Sequence, residues 1–481
     1  MTTASNPKHI SHNYRSRRDF ITRSGCGIGM LALQDLLRAN QPSTESARHR
    51  HRPHFPAKAK SVIWLFMHGA PSQIDTWDYK PELRKHDGQT YDGFDQSTGF
   101  FAGLGGPIMK SPFNFSQHGE TSTWVSEIYP QLSQHVDKMA MIHSCYAKEN
   151  NHAPAQIEMN TGMARLGFPS VGSWITYGLG TANQNLPGFI VMYDAKGRGT
   201  PKSRSISWGS GFLPGMYQGT PLSNSGAPIN HLRPLPGRNN LTQQSQLDLL
   251  RTLSSSNDER TPKRPELDAR IKSFELAYRM QIAAPEAFEL NGETVDTHRL
   301  YGTDNPQCGP FAKQALISRR LVERGVRFVQ LFSGGFNNED SWDGHTNLDK
   351  NHRQFAGETD QPIAALLTDL EQRGLLDSTL VVCCGEFGRL PLVQTGGTGR
   401  DHNPLAFTTW MAGGGAKPGK RYGSTDELGL RAAENPVSIN DLHATILHLM
   451  GLDHEQLTFR HEGRDIRLTD VEGVVVNDVV A

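Results

Sequence analysis

The sequence has little cysteine. Five residues, Cys26, Cys145, Cys308, Cys383 and Cys384, are scattered over 481 positions. They are too few and too far apart for a disulfide framework. It also lacks any charge imbalance, with 49 basic and 49 acidic side chains. Bulk electrostatics therefore gives no reason to expect nucleic acid or an anionic membrane as a partner. Nowhere do about 18 or more apolar residues run without interruption, so no integral membrane span is expected. No internal repeat is visible. What remains is ordinary globular composition, 36% hydrophobic and 20% charged, on a chain long enough for a large core.

The N-terminal stretch "SRRDFITRSGCGIGMLALQDLL" carries Arg17, Arg18, Phe20 and Ile21 ahead of a short, weakly apolar segment. It resembles a twin-arginine export signal, with a basic amphipathic helix as the competing reading. Such a signal implies export of an already folded protein to the periplasm or beyond. The following "SARHRHRPHFPAK" is read as a solvated His/Arg/Pro-rich linker rather than a metal-binding tract. Residues 1–55 are set aside as signal and linker, leaving 56–481 as the folded domain.

Continuous apolar runs then punctuate the chain. "KSVIWLFMHG" (60–69) stops at a Gly turn and reads as a buried parallel strand. "VRFVQLFSGG" (326–335) and "STLVVCCGEFG" (378–388) are equally strong, and "VDKMAMIHSC" (136–145), "LPGFIVMYDA" (186–195) and "LAFTTWMAGGG" (405–415) are similar. Helical periodicity fills the gaps over 264–283, 310–325, 361–374 and 438–451. This alternation predicts an α/β domain with a mainly parallel sheet. Residues 196–262 are rich in Gly, Pro and Ser and show no period, which suggests a surface insertion or a lid.

In open α/β sheets, ligands bind beyond the carboxyl ends of strands. Carboxylates and imidazoles fall there repeatedly. The first strand leads to His68, Asp75 and Asp78, and the 326–335 strand to Asp343, His345, Asp349 and His352. The 378–388 strand ends in Glu386 and Arg389, and "GRDHNP" brings Arg400, Asp401 and His402 just before the next strand. Such a set suits a divalent ion. Hard carboxylates suit Mg or Mn, while imidazole moves the preference toward Zn, so Zn or Mn is expected ahead of Mg or Ca. Arg389 and Arg400 are candidates for holding an anionic substrate by bidentate hydrogen bonds. Each residue also has a plain alternative: an Asp after a strand often caps a helix, and Glu386 can simply pair with an arginine.

Taken together, "IDTWDYKPEL", "NNHAPAQIEMNTG", "SWDGHTN", "TLVVCCGEFGR", "GRDHNP", "MAGGG" and "VSINDLHATILHLMGL" resemble the domain-of-unknown-function family numbered 1501, over residues 60 to about 470. That family is similar to the alkaline phosphatase and sulfatase superfamily. The resemblance implies a sheet sandwiched by helices. It also implies metal roles for Asp75, Asp343, His345, Glu386 and His402. In sulfatases a formylglycine, made from Cys or Ser, stands two places before a Pro and nine before a Thr-Gly pair. Pro154 and Thr161-Gly162 keep that spacing, but the head of the segment is His152, and Ala155-Gln156 replaces the usual Ser-Arg. Phe387 likewise occupies a metal-His position. A formylglycine mechanism is therefore not expected. His152 is left as metal ligand, general base, nucleophile or structural cap.

The leading expectation is an exported metal-dependent hydrolase acting on a phosphate or sulfate ester, of a small molecule or a glycan. His152, Arg389 and Arg400 are its catalytic candidates. The competing class is a non-catalytic glycan- or partner-binding protein on the same fold. A mutase-type phosphoryl transfer is a third reading, for which Thr161 is a poor phosphate acceptor.

Overall fold

The computed structural model describes residues 52–101, 103–222, 240–255, 271, 274–276, 278–280 and 286–481. The export motif and most of the 264–283 stretch lie outside the described residues. Eight strands frame the site: β1 (Ser61–Met67), β2 (Met139–Tyr146), β3 (Phe189–Met192), β4 (Phe328–Ser333), β5 (Thr379–Cys384), β6 (Gly388–Gln394), β7 (Arg400–Asn403) and β8 (Phe407–Ala412). Five helices pack around them: α1 (His152–Thr161), α2 (Val171–Leu179), α3 (Gly309–Glu323), α4 (Leu348–Gln372) and α5 (Ile439–Leu449).

Each apolar run of the sequence becomes a strand of one sheet, in the order β2-β8-β5-β1-β4-β3. β1 lies at its centre, parallel to both β4 and β5. All seven β1 residues are buried. That is why the strand reads as continuously apolar rather than alternating: both faces are covered. Ile63, Leu65 and Met67 pack on one side with Phe311 and Leu316 of α3 and Phe355 and Leu366 of α4. Val62, Trp64 and Phe66 pack on the other with Met159 of α1, Trp174 of α2 and Leu442 and Ile446 of α5. The pleat sends successive side chains to opposite faces, and burying each contributes about 1.5–3 kcal/mol. The result is a three-layer α/β sandwich with a mainly parallel sheet.

β8 runs antiparallel to both neighbours, with Phe407 opposite Cys145 and Ala412 opposite Met139. Its entry therefore lies at the edge where the parallel strands finish. This reversal brings "GRDHNP", which precedes β8, to the same edge as segments that follow β1, β4 and β5.

Two elements differ from the sequence reading. α4 spans 25 residues and begins well before 361. Its first half carries buried polar residues, His352, Glu358 and Asp360, on the inward stripe, and these hide the apolar period. The 196–262 stretch is not wholly superficial. Trp208 and Leu213 anchor its first part in the core, and a helix occupies Asn240–Ser255.

Candidate metal centre

The strand ends are drawn together by close backbone contacts. Gly69, directly after β1, has φ of +100°, and a Cβ there would stand 2.7 Å from the backbone nitrogens of Trp342 and Asp343. Only glycine permits that conformation and that approach. Trp342 N–H donates to the His68 carbonyl at 2.9 Å, and its buried indole N–H reaches Ser333 Oγ at 3.2 Å. These contacts fix the loop after β4 over the end of β1. Arg400 N–H then donates to the Gly344 carbonyl at 3.0 Å, which brings β7 alongside.

Four side chains meet there. His152, Asp343, His345 and His402 each offer one ligand atom, and these atoms all lie within 4.8 Å of one another. His152 Nε2 is 3.1 Å from Asp343 Oδ2, and His345 Nε2 is 2.9 Å from Asp343 Oδ1. His402 Nε2 is 3.0 Å from His345 Nε2 and 3.5 Å from Asp343 Oδ1. Ligands bound tetrahedrally at roughly 2.0–2.1 Å stand about 3.3 Å apart, so the spacing matches a single small cation.

The imidazole tautomers point the same way. His402 Nδ1 lies 2.6 Å from the Asn150 carbonyl, which can only accept, so Nδ1 carries the proton. Burial holds this ring far below the usual histidine range, with the neighbouring His152 acting in the same direction. Its Nε2 therefore presents a lone pair to Asp343. His345 Nδ1 is 2.5 Å from Gln394 Oε1, and His152 Nδ1 is 2.7 Å from Glu386 Oε1. Nδ1–H bonded to oxygen with Nε2 turned inward is the habit of metal-bound histidine. His152 Nε2 and Asp343 Oδ2 are both buried without a hydrogen-bond partner. Buried polar atoms are seldom left so, and a cation would satisfy both. The donor set of three imidazoles and a carboxylate fits a divalent ion.

The surrounding groups support these four. Burial works against the Glu386 charge, yet the hydrogen bond from His152 and those neighbouring it hold its carboxyl at about 2. Glu386 also accepts from Gln156 Nε2 at 2.9 Å and from Gly69 N–H at 3.1 Å. It orients His152 from outside the cluster. Arg389 is fully buried and gives its donors to Asp343 Oδ1 at 2.7 Å and to the carbonyls of Ala70, Gly69 and Arg400. It steadies Asp343, and its guanidinium is buried among these four acceptors rather than presented to a substrate.

Asp75 and Arg400 form a separate buried pair. Arg400 Nε and Nη2 reach the two Asp75 oxygens at 2.7 and 3.2 Å. Ser72 Oγ donates to Asp75 as well, at 2.5 Å. Both side chains are wholly buried. The structure thus puts Asp75 outside the four-residue cluster and spends Arg400 on Asp75, because each is the opposite charge the other needs in order to be buried. The remaining sequence candidates also have other partners. His68 accepts from Gln156, and burial lowers it to about 4. Asp78 pairs with Lys80, and Asp349 with Arg353. His352 Nε2 accepts from Ser72 N–H at 2.9 Å. Asp401 accepts from the backbone of Phe101 and His402.

One cation escaped the sequence reading. Lys202 Nζ is 3.5 Å from Asp343 Oδ2 and 2.7 Å from Asn338 Oδ1. Its stretch has no periodicity, so no sequence signal tied it to the site. Asp343 and His345 open onto a cleft of about 560 Å³.

The chain belongs to the family described as "Protein of unknown function (DUF1501)", whose model matches residues 59–480. No curated protein matches it. Among solved structures it is similar to the PsFucS1 sulfatase from Pseudoalteromonas sp., at 11% identity and a TM-score of 0.38, covering 93% of this chain and 76% of the other. It is similar to alkaline phosphatase from the Antarctic bacterium TAB5, at 11% identity and a TM-score of 0.33, covering 82% of this chain and 98% of the other. The phosphonate monoester hydrolase SpPMH from Silicibacter pomeroyi matches at 12% identity and a TM-score of 0.32, covering 67% and 68%.

Proposed function

We propose that this protein is a metal-dependent hydrolase of phosphate or sulfate esters that works without a formylglycine nucleophile. The observation that carries the proposal is the convergence of three inward-facing imidazole Nε2 atoms on one buried carboxylate. In this reading His152, Asp343, His345 and His402 hold one divalent ion, Zn or Mn ahead of Mg or Ca. Such an ion lowers the pKa of bound water and polarises an ester oxygen.

The chain's own residues have distinct parts. Gln394, Asn150 and Glu386 fix the three rings. Arg389 keeps Asp343 ionised; burial opposes the charge, and the guanidinium overcomes it. Lys202, partly exposed beside Asp343, would neutralise the ester anion, the part expected of Arg389 and Arg400. His152, at the head of α1, stands between Glu386 and Asp343, and in this reading it serves as a ligand rather than as a covalent nucleophile. The paired arginines Arg17 and Arg18 support export by the twin-arginine route to the periplasm or cell exterior.

The test is turnover of 4-nitrophenyl phosphate and 4-nitrophenyl sulfate by Zn- or Mn-loaded protein. Measurable hydrolysis that Asp343→Asn abolishes is the expected result. A fully loaded protein that cleaves neither ester contradicts the hydrolase reading and favours the non-catalytic binding protein.

A further inference from the structure

The cleft beside the cluster has a composition that bears on what is esterified. Apart from Phe101, every residue lining it is polar or charged. Its volume of about 560 Å³ falls within the roughly 300–1,000 Å³ of small-molecule sites, which are usually walled by hydrophobic side chains. An aromatic or aliphatic alcohol would find no apolar wall to bury against.

The polar groups are also available. Lys350 and Gln354 sit one turn apart near the start of α4, both exposed, and face the cleft together. Thr346 and Asn347 precede them and are exposed as well. The Gln394 amide uses its oxygen on His345 and keeps its NH₂ group. These side chains offer both donors and acceptors, which is what a ring of hydroxyl groups requires. Phe101, 38% exposed, stands edge-on to His345 with ring centroids 5.3 Å apart. It supplies one apolar surface at the rim, suited to the C–H face of a sugar ring.

We infer that the alcohol half of the substrate is a saccharide, so that the cleft takes sulfated or phosphorylated sugars with the anion toward the Asp343–His345 end and the ring against Lys350 and Gln354. This rests on the hydrolase reading of the neighbouring cluster and adds the leaving group to it. A site built to bond hydroxyls discriminates strongly against an analogue that lacks them.

The experiment is calorimetric titration of the metal-loaded protein. The probes are monosaccharide 6-sulfates and 6-phosphates of the gluco and galacto series, against phenyl sulfate and phenyl phosphate. At least one saccharide ester is expected to bind at least about tenfold more tightly than either phenyl ester, a floor well below the roughly 10⁴-fold that a site reading buried hydroxyls can reach. Lys350→Ala and Gln354→Ala, both at exposed helix positions, should narrow that ratio. Phenyl esters binding as tightly as every saccharide ester would overturn the inference, and the hydrolase reading would stand if 4-nitrophenyl esters are still cleaved. Saccharide preference that survives both substitutions would also overturn it, since the preference would then arise elsewhere. Absence of binding and turnover with every ester would sink both.

Discussion

Glu386 Oε1 and His152 Nδ1 lie 2.7 Å apart, and the far nitrogen of the same ring is 3.1 Å from Asp343. One carboxylate thereby sets which nitrogen of His152 faces the cluster. Without Glu386 the ring would be free to turn or to change tautomer, and the proposed centre would lose its fourth ligand.

Glu386→Gln removes the charge but keeps the shape. It should weaken metal binding by about 10–100-fold, the usual effect of losing a partner behind a ligand histidine. Competition against a calibrated chelator measures this. Affinity equal to wild type would mean that Glu386 does not orient His152.

Lys202→Met should leave folding intact, because the side chain is partly exposed. It should raise KM for an anionic ester about tenfold or more, since a hydrogen bond to a charged group contributes roughly 1.5–3 kcal/mol. Inhibition by inorganic phosphate should weaken in parallel. An unchanged KM with reduced kcat would remove Lys202 from substrate binding.

Breaking the Asp75–Arg400 pair should cost stability rather than metal. Removing one partner of a buried ion pair typically costs about 3–5 kcal/mol, so Asp75→Asn should lower the denaturation midpoint markedly. Burial opposes the Asp75 charge, but Arg400 and Ser72 hold the carboxyl below its usual range. The pair's contribution is therefore complete above the unfolded carboxyl range, near pH 4, and is lost as pH falls through the lower folded value. The gap between wild type and Asp75→Asn should close in acid. Metal content of the surviving folded variant should match wild type.

Glu158 behaves in the opposite sense. Burial raises its carboxyl to about 7, despite the hydrogen bond from Lys148 N–H. A raised acid stabilises the fold while protonated, so its contribution is present at low pH and lost as pH climbs from about 4.5 to 7. Glu158→Gln should be no more stable than wild type at pH 4.5 and more stable at pH 8. Denaturant midpoints at the two pH values decide it.

Much of this was legible in the sequence, for a physical reason. A strand covered on both faces must be apolar throughout, so β1, β4 and β5 were visible as runs, and the residues just beyond them as site candidates. Asp343, His345 and His402 stood out in this way. Chemistry at those positions did not. Asp75 and Asp343 both follow a strand and look equivalent, yet one neutralises a buried arginine 325 residues away and the other faces three imidazoles. Only the fold distinguishes them. Arg389 and Arg400 likewise read as anion clamps because their burial is invisible in sequence. Lys202 sits in a Gly/Pro/Ser-rich stretch without period, and the burial of Trp208 in the core and the Ser203 N–H bond to Gln156, neither visible in sequence, bring that stretch to the site.

The most direct measurement is elemental analysis of the purified protein after incubation with Zn and Mn, beside His345→Ala and His402→Ala. Four ligands around one point hold a single ion, so wild type should retain about one divalent ion per chain after dialysis, and both variants should lose it while staying folded. Wild type that remains metal-free, or variants that bind as well as wild type, would contradict the metal centre on which the function rests.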